Sequence, residues 1–337
     1  MSLILAVAAA AMQSSPTAQP PPAPRQTAEH FTIQFIRAKD VQPIPFETVD
    51  NLILIEAEIG GQQGWMLIDS GSSNTAIDSG LAKELGRTIV PLKGDMLTTG
   101  GHPIPRARVE DVALVIPHQF SVRMPMLALD LASVSRASHR RIVGVIGNDI
   151  ISNMILWVMK PQGQLMLIFG GNLDISCKAP CTDPSILQPV PITRLSDHEE
   201  VVVNVAGSVL KLKLDTGTGA GIELTSAAWD RVKPADAQVF TRTSVGASGI
   251  VDKVLSSRLP EVMLGPKKIQ DVSVDVQQLS PSDGDGIIGM GVLSRYSFAL
   301  DTKKGQLWLQ PAPTDTSKLP PPVLSKPGHD APATGQH

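Results

Sequence analysis

At 337 residues the chain exceeds the usual length of a single domain, and its apolar fraction of 42% is ample for two cores. A formal charge of −3, with only 18% charged residues, offers neither a basic field for nucleic acid nor an acidic tail. Aromatic residues are scarce while Val, Ile, Leu, Gly, Pro and Thr are plentiful, which is the composition of short strands and tight turns and predicts a mostly β protein.

Residues 1 to 12 form an apolar, alanine-rich run too short to span a bilayer comfortably, and a proline-rich stretch follows at residues 16 to 24. Residues 1–27 therefore read as a signal-peptide core and spacer, against a disordered or membrane-anchoring N-terminus, although no Lys or Arg precedes the run. Export predicts a periplasmic or secreted protein with no stable membrane span in the mature chain. It also favours a disulfide between Cys177 and Cys181, because this C-x3-C pair has no further metal ligands grouped near it.

Residues 31 to 41 alternate as a first strand, and residues 51 to 58 form a second that turns at Gly60-Gly61. The chain returns as Trp65 to Ile68 into Asp69-Ser70-Gly71-Ser72. A short strand at Thr75 to Ile77 follows, then a helix through Leu81 to Leu85, capped by Asp78 or Ser79 and stopped at Gly86.

The same order recurs in the second half. A strand at Val201 to Val205 turns at Gly207, and Val209 to Leu214 lead into Asp215-Thr216-Gly217-Thr218. A strand at Ile222 to Leu224 and a helix through Ala227 to Val232, capped by Thr225 or Ser226, come next. The two aspartates are 146 residues apart (215 − 69). Glycine turns lie 31 residues beyond each, at Gly100-Gly101 and at Gly246. The hairpins they close, with Thr99 and Val245 beside the turns, are candidate flaps.

Further on, residues 143–147 (VGVIG) match residues 285–289 (DGIIG), and Gly163-Gln164-Leu165 matches Gly305-Gln306-Leu307, both at an offset of 142. The change of offset places four extra residues in the first copy, most simply in a polar loop at residues 133 to 141.

Two carboxylates brought close together cannot both ionise freely, so the pair shares a proton and titrates as a unit. The ionised member can take a proton from a water while the protonated member hydrogen-bonds a substrate carbonyl, which permits peptide hydrolysis with neither cofactor nor metal. Gly71 and Gly217 let the backbone approach closely, and hydroxyls at Ser70, Ser72, Thr216 and Thr218 are available to orient the carboxylates. One Asp-Ser/Thr-Gly triplet arises by chance in roughly one chain in seven of this length. Two copies in matching strand, hairpin and glycine settings are a far stronger signal.

With those residues in place, the chain resembles the aspartic proteases of the pepsin and retropepsin superfamily, over about residues 28 to 312. The resemblance implies two β-barrel lobes related by a pseudo-twofold axis, a cleft between them, and one catalytic aspartate from each lobe, Asp69 and Asp215. It also implies that Ser70 and Thr216 bond across the lobe junction while Ser72 and Thr218 bond to the carboxylates. Hydroxyls at Ser72 and Thr218 are pepsin-like, whereas the short lobes and similar flap turns are closer to retropepsins. Pepsin-like flaps carry a tyrosine, and the single tyrosine here, Tyr296, is far from either turn in sequence.

The expected organisation is a lobe at 28–169, a linker with the cysteine pair at 170–194, a second lobe at 195–312 and a disordered proline-rich tail at 313–337. The expected function is an aspartic endopeptidase acting on extended peptides, with a catalytically silent peptide-binding or assembly protein of the same fold as the alternative. Both aspartates are in one chain, so a monomer suffices.

Other motifs fail. His198-Glu199-Glu200 lacks the second histidine of a zinc protease and reads as an exposed cluster beginning a strand. Residues 283–286 (DGDG) lack the length of a calcium loop, residues 286–291 have the wrong glycine order for a dinucleotide site, and seven scattered histidines support no Ser-His-Asp triad.

Overall fold

Each half folds back on itself through a two-residue turn in left-handed backbone. Gly60 and Gly61 have φ of 57° and 85°, and Ala206 and Gly207 have φ of 50° and 87° at the corresponding positions. Successive positive φ values give the turn that matches the natural twist of a hairpin. The first joins the strands Leu52–Ile59 and Gln62–Ile68, and the second joins Glu199–Val205 and Ser208–Leu214. Asp69 and Asp215 therefore leave equivalent strand ends.

The computed structural model describes residues 32–35, 41–97, 101–170, 188–245 and 250–311. Among these, strands dominate and gather into a nine-stranded and a thirteen-stranded sheet. Each aspartate-bearing strand runs parallel to a glycine-containing apolar strand, Gln62–Ile68 beside Ile142–Ile146 and Ser208–Leu214 beside Gly286–Ile288. The latter strands are buried along their whole length, as parallel strands covered on both faces must be. Ile55, Ile68 and Ile146 of the first half and Val203, Leu214 and Ile288 of the second belong to one continuous apolar core. Burying each such side chain contributes about 1.5–3 kcal/mol.

The halves share strands. In the larger sheet Met154–Met159 and Gln164–Phe169 of the first half lie beside Tyr296–Asp301 and Gln306–Pro311 of the second. Across this seam Leu156 pairs with Leu300, Trp157 with Ala299 and Val158 with Phe298. At the repeat offset of 142, Ala299 is the copy of Trp157, and the flanking pairs exchange places about it. The pseudo-twofold axis therefore passes through the Trp157–Ala299 pair.

Several local expectations change. The first strand is described over Thr32–Phe35, and residues 31 and 36–40 of its expected span lie outside the described residues. Residues 133 to 141, expected as a loop, include the helix Ala132–Ser138, because Leu131 and Val134 have an apolar cluster with Val145 to pack against. The expected linker contains a strand at Val190–Arg194, recruited by pairing with Gln306–Pro311 and Glu199–Val205. His198 and Glu199 are buried rather than exposed, since Glu199 faces inward and meets the Asn148 side chain. Both helix caps are as expected, with Asp78 accepting from Leu81 N and Thr225 from Ala228 N. Cys177, Cys181 and the C-terminal tail lie outside the described residues.

Candidate active site

Corresponding carbonyls fix the two aspartate backbones, as Asp69 N donates to Ile146 O and Asp215 N to Ile288 O, both at 3.0 Å. The following turns are pinned alike, by Asn148 N to Ser72 O at 2.7 Å and Met290 N to Thr218 O at 2.9 Å. Each neighbouring apolar strand thus serves as the template for one aspartate. Gly147 and Gly289 are required there because an added Cβ would strike Asn74 and Thr218 respectively.

Across the junction, Ser70 and Thr216 exchange hydrogen bonds. Ser70 N donates to Thr216 Oγ1 at 2.9 Å and Thr216 N donates to Ser70 Oγ at 3.1 Å. The hydroxyls then donate onward, Ser70 Oγ to Leu214 O at 3.1 Å and Thr216 Oγ1 to Ile68 O at 2.9 Å. Both residues are wholly buried, so each bond exists in a low dielectric where leaving it unmade is costly.

This lock sets the carboxyls of Asp69 and Asp215 side by side, each against the glycine of the opposite turn. A Cβ at Gly71 would overlap the Asp215 carboxylate, and one at Gly217 would overlap that of Asp69. The glycines therefore make room for the opposite carboxyl. Ser72 N donates to Asp69 Oδ1 at 2.8 Å and Gly217 N to Asp215 Oδ1 at 2.7 Å. Burial, and next the charge of Asp215, push Asp69 up to about 8, against the Ser72 amide and the more distant Lys213.

The hydroxyls expected to reach the carboxylates go elsewhere. Ser72 Oγ donates to Asn74 O at 2.9 Å, and Thr218 Oγ1 donates to Glu223 Oε1 at 3.0 Å. Ser72 still holds its aspartate, through backbone rather than side chain. Thr218 is diverted because a buried carboxylate lies within its reach.

Sequence reasoning missed that carboxylate, and it missed Lys213. Lys213 donates to Asp283 at 3.3 Å. Burial opposes its charge, but Asp215, Asp283 and Asp69 together hold its pKa above the ordinary lysine value. Both residues had a sequence signal, because each is a charge between two apolar neighbours in a strand, Leu212-Lys213-Leu214 and Ile222-Glu223-Leu224.

The candidate flaps are antiparallel hairpins, Ile89–Leu97 with Pro103–Ile116 and Phe240–Val245 with Val251–Leu264. Thr99, Gly100 and Gly246 lie outside the described residues, while Gly101 resumes the first hairpin and Val245 ends a strand of the second. His102 Nε2 lies 2.9 Å from both carboxylate oxygens of Asp252, linking one hairpin to the other. A surface recess of about 350 Å³ bounded by Asp78, Arg136 and Arg141 includes neither aspartate. Among the described residues no group of three or more His, Cys, Asp or Glu has the arrangement of a metal site, and no helix is long and apolar enough to cross a membrane.

Residues 55–150 match the family model described as aspartyl protease. Among solved structures, the chain is similar to a retropepsin-like aspartic protease from Rickettsia conorii. Identity is 22%, the match covers 37% of this chain and 94% of that one, and the TM-score is 0.28. No curated protein matches.

Proposed function

Because residues 55–150 match the aspartyl protease family model and the Asp-Ser/Thr-Gly turn recurs at Asp215, we propose that the chain is an endopeptidase whose Asp69 and Asp215 together activate a water against an extended peptide. The observation that carries this reading is the seating of each carboxyl against the glycine of the other half, which places the two acids together. One shared proton gives the pair a base and an acid at once. The ionised carboxylate draws a proton from water as it attacks the scissile carbonyl, and the protonated one donates to the carbonyl oxygen. Proton transfer to the leaving amine completes the cleavage. The Ser70–Thr216 lock supports this role, since it holds both carboxyls in a fixed relation before substrate arrives.

Within the same proposal, a single chain is sufficient for the complete pair, and the N-terminal apolar run directs export to the periplasm or beyond the cell. The test is digestion of a mixed peptide library from acidic to neutral pH, with cut sites read by mass spectrometry. Wild type is expected to cleave, and Asp69→Asn and Asp215→Asn are each expected to abolish cleavage. Full activity in either variant would refute the shared-proton mechanism. Saturable peptide binding with no cleavage at any pH would instead favour a binding module of the same fold.

A further inference from the structure

The two halves differ most sharply in chemistry one strand beyond the aspartates. At the repeat offset of 146, Glu223 is the copy of Ile77, and both are buried, Ile77 at 0% exposure and Glu223 at 4%. In the first half Ile77 pairs with Ala128, whereas at the same place in the second Glu223 pairs with Asp275. An apolar pair in one copy is thus an acidic pair in the other. Burying carboxyls where the fold accepts Ile and Ala costs stability, so the fold itself gives no reason for them.

The surroundings of Glu223 connect it to the aspartate pair. Its Oε1 accepts from Thr218 Oγ1 at 3.0 Å, three residues after Asp215, in place of the carboxylate that Thr218 was expected to bond. Its Oε2 is buried without a hydrogen-bond partner among the described residues.

Arg242, on the second hairpin, does not neutralise Glu223 directly. Its guanidinium is taken by Asp275, which accepts from Arg242 Nε at 2.8 Å, from Nη2 and from Ser256 Oγ. The strand on the other side presents apolar Ile287. The charged groups bearing on Glu223 are therefore Asp215, Asp275 and Arg242, while Lys213 acts on the aspartate pair itself.

We propose that Glu223 is a positioning residue which, through its charge beside Asp215 and its bond to Thr218, sets the pH at which the aspartate pair releases its shared proton. The proposal rests on the catalytic reading of that pair. Burial, and then the Asp215 charge, push Glu223 up to about 7, so it gains its charge near neutrality. A negative Glu223 makes loss of the last proton from the pair harder, because like charges disfavour further ionisation. The acid and base roles then persist to higher pH than the pair alone would allow. Lys213 acts in the opposite direction, which gives the site one control of each sign.

The test follows the aspartate carboxyls by 13C NMR in full-length protein labelled at aspartate, titrated from pH 3 to 10. Wild type is compared with Glu223→Gln, which keeps an acceptor for Thr218 but cannot ionise, and with Glu223→Ile, which restores the residue of the first half. In both variants the upper titration step of the pair is expected to fall by about one pH unit. Where peptide cleavage is measurable, the alkaline limb of kcat/KM moves down with it. An unchanged titration in folded Glu223→Gln would overturn the proposal and leave Glu223 as a mere acceptor for Thr218. The NMR readout does not require turnover. A shifted titration in a protein that cleaves nothing would support the coupling and count against the proteolytic reading alone.

Discussion

His102 and Asp252 stand 150 residues apart in sequence, yet the histidine Nε2 lies 2.9 Å from both oxygens of the aspartate and ties the first hairpin to the second. Each side chain is 28% exposed, so water screens the pair and its contribution is about 1 kcal/mol or less. Asp252→Asn should therefore leave global stability nearly unchanged while loosening the hairpins locally. Amide exchange in the strands Pro103–Ile116 and Val251–Leu264 is expected to rise by up to about fivefold near the link, with exchange at the Trp157–Ala299 seam unaffected.

The lock beneath the aspartates should behave differently. Thr216→Val keeps the shape but removes the acceptor for Ser70 N and the donor to Ile68 O, both buried. Each unsatisfied group costs about 1–3 kcal/mol. Denaturant unfolding should show a loss of that order, and the loss of activity should be larger than unfolding explains.

Gly71→Ala tests the seating of the opposite carboxylate. The new methyl would occupy the space of the Asp215 carboxylate, so that group must move. A displacement of about 1 Å in a catalytic group can cost about 100-fold in rate. The expectation is a fall of that size in kcat, with unfolding showing the variant still folded.

Asp69 makes stability depend on pH. Its proton leaves the unfolded chain near 3.8 and the folded protein at about 8, so across that window the folded state binds more protons and its stability falls as pH rises. Asp69→Asn removes this contribution. Relative to wild type, the variant should be nearly equal at pH 4 and more stable at pH 8 by roughly a few kcal/mol, as measured by urea unfolding at both values.

Much of the fold was legible because duplication is legible. The positions of Gly60-Gly61 and Gly207 and the helix caps at Asp78 and Thr225 are local patterns, and the local backbone follows them. The helix Ala132–Ser138 was not legible. It has no side-chain cap, and a polar surface run shows nothing of the apolar cluster beneath it. The strand Val190–Arg194 was hidden for a related reason. Its partners, Gln306–Pro311 and Glu199–Val205, are supplied by the fold rather than by its own proline-rich context.

The sequence by itself determined that two equivalent aspartates exist, each at a strand end followed by a glycine turn, because hydrophobic period and glycine conformational freedom act over a few residues. Only the tertiary structure decided what those turns touch. That Thr218 bonds Glu223 and not Asp215, that Lys213 and Glu223 place opposite charges near Asp215, and that the symmetry axis runs through Trp157 and Ala299 all depend on strand register. Register is a long-range property: it sets which distant side chains share a face, and a shift of one residue would turn each of them away.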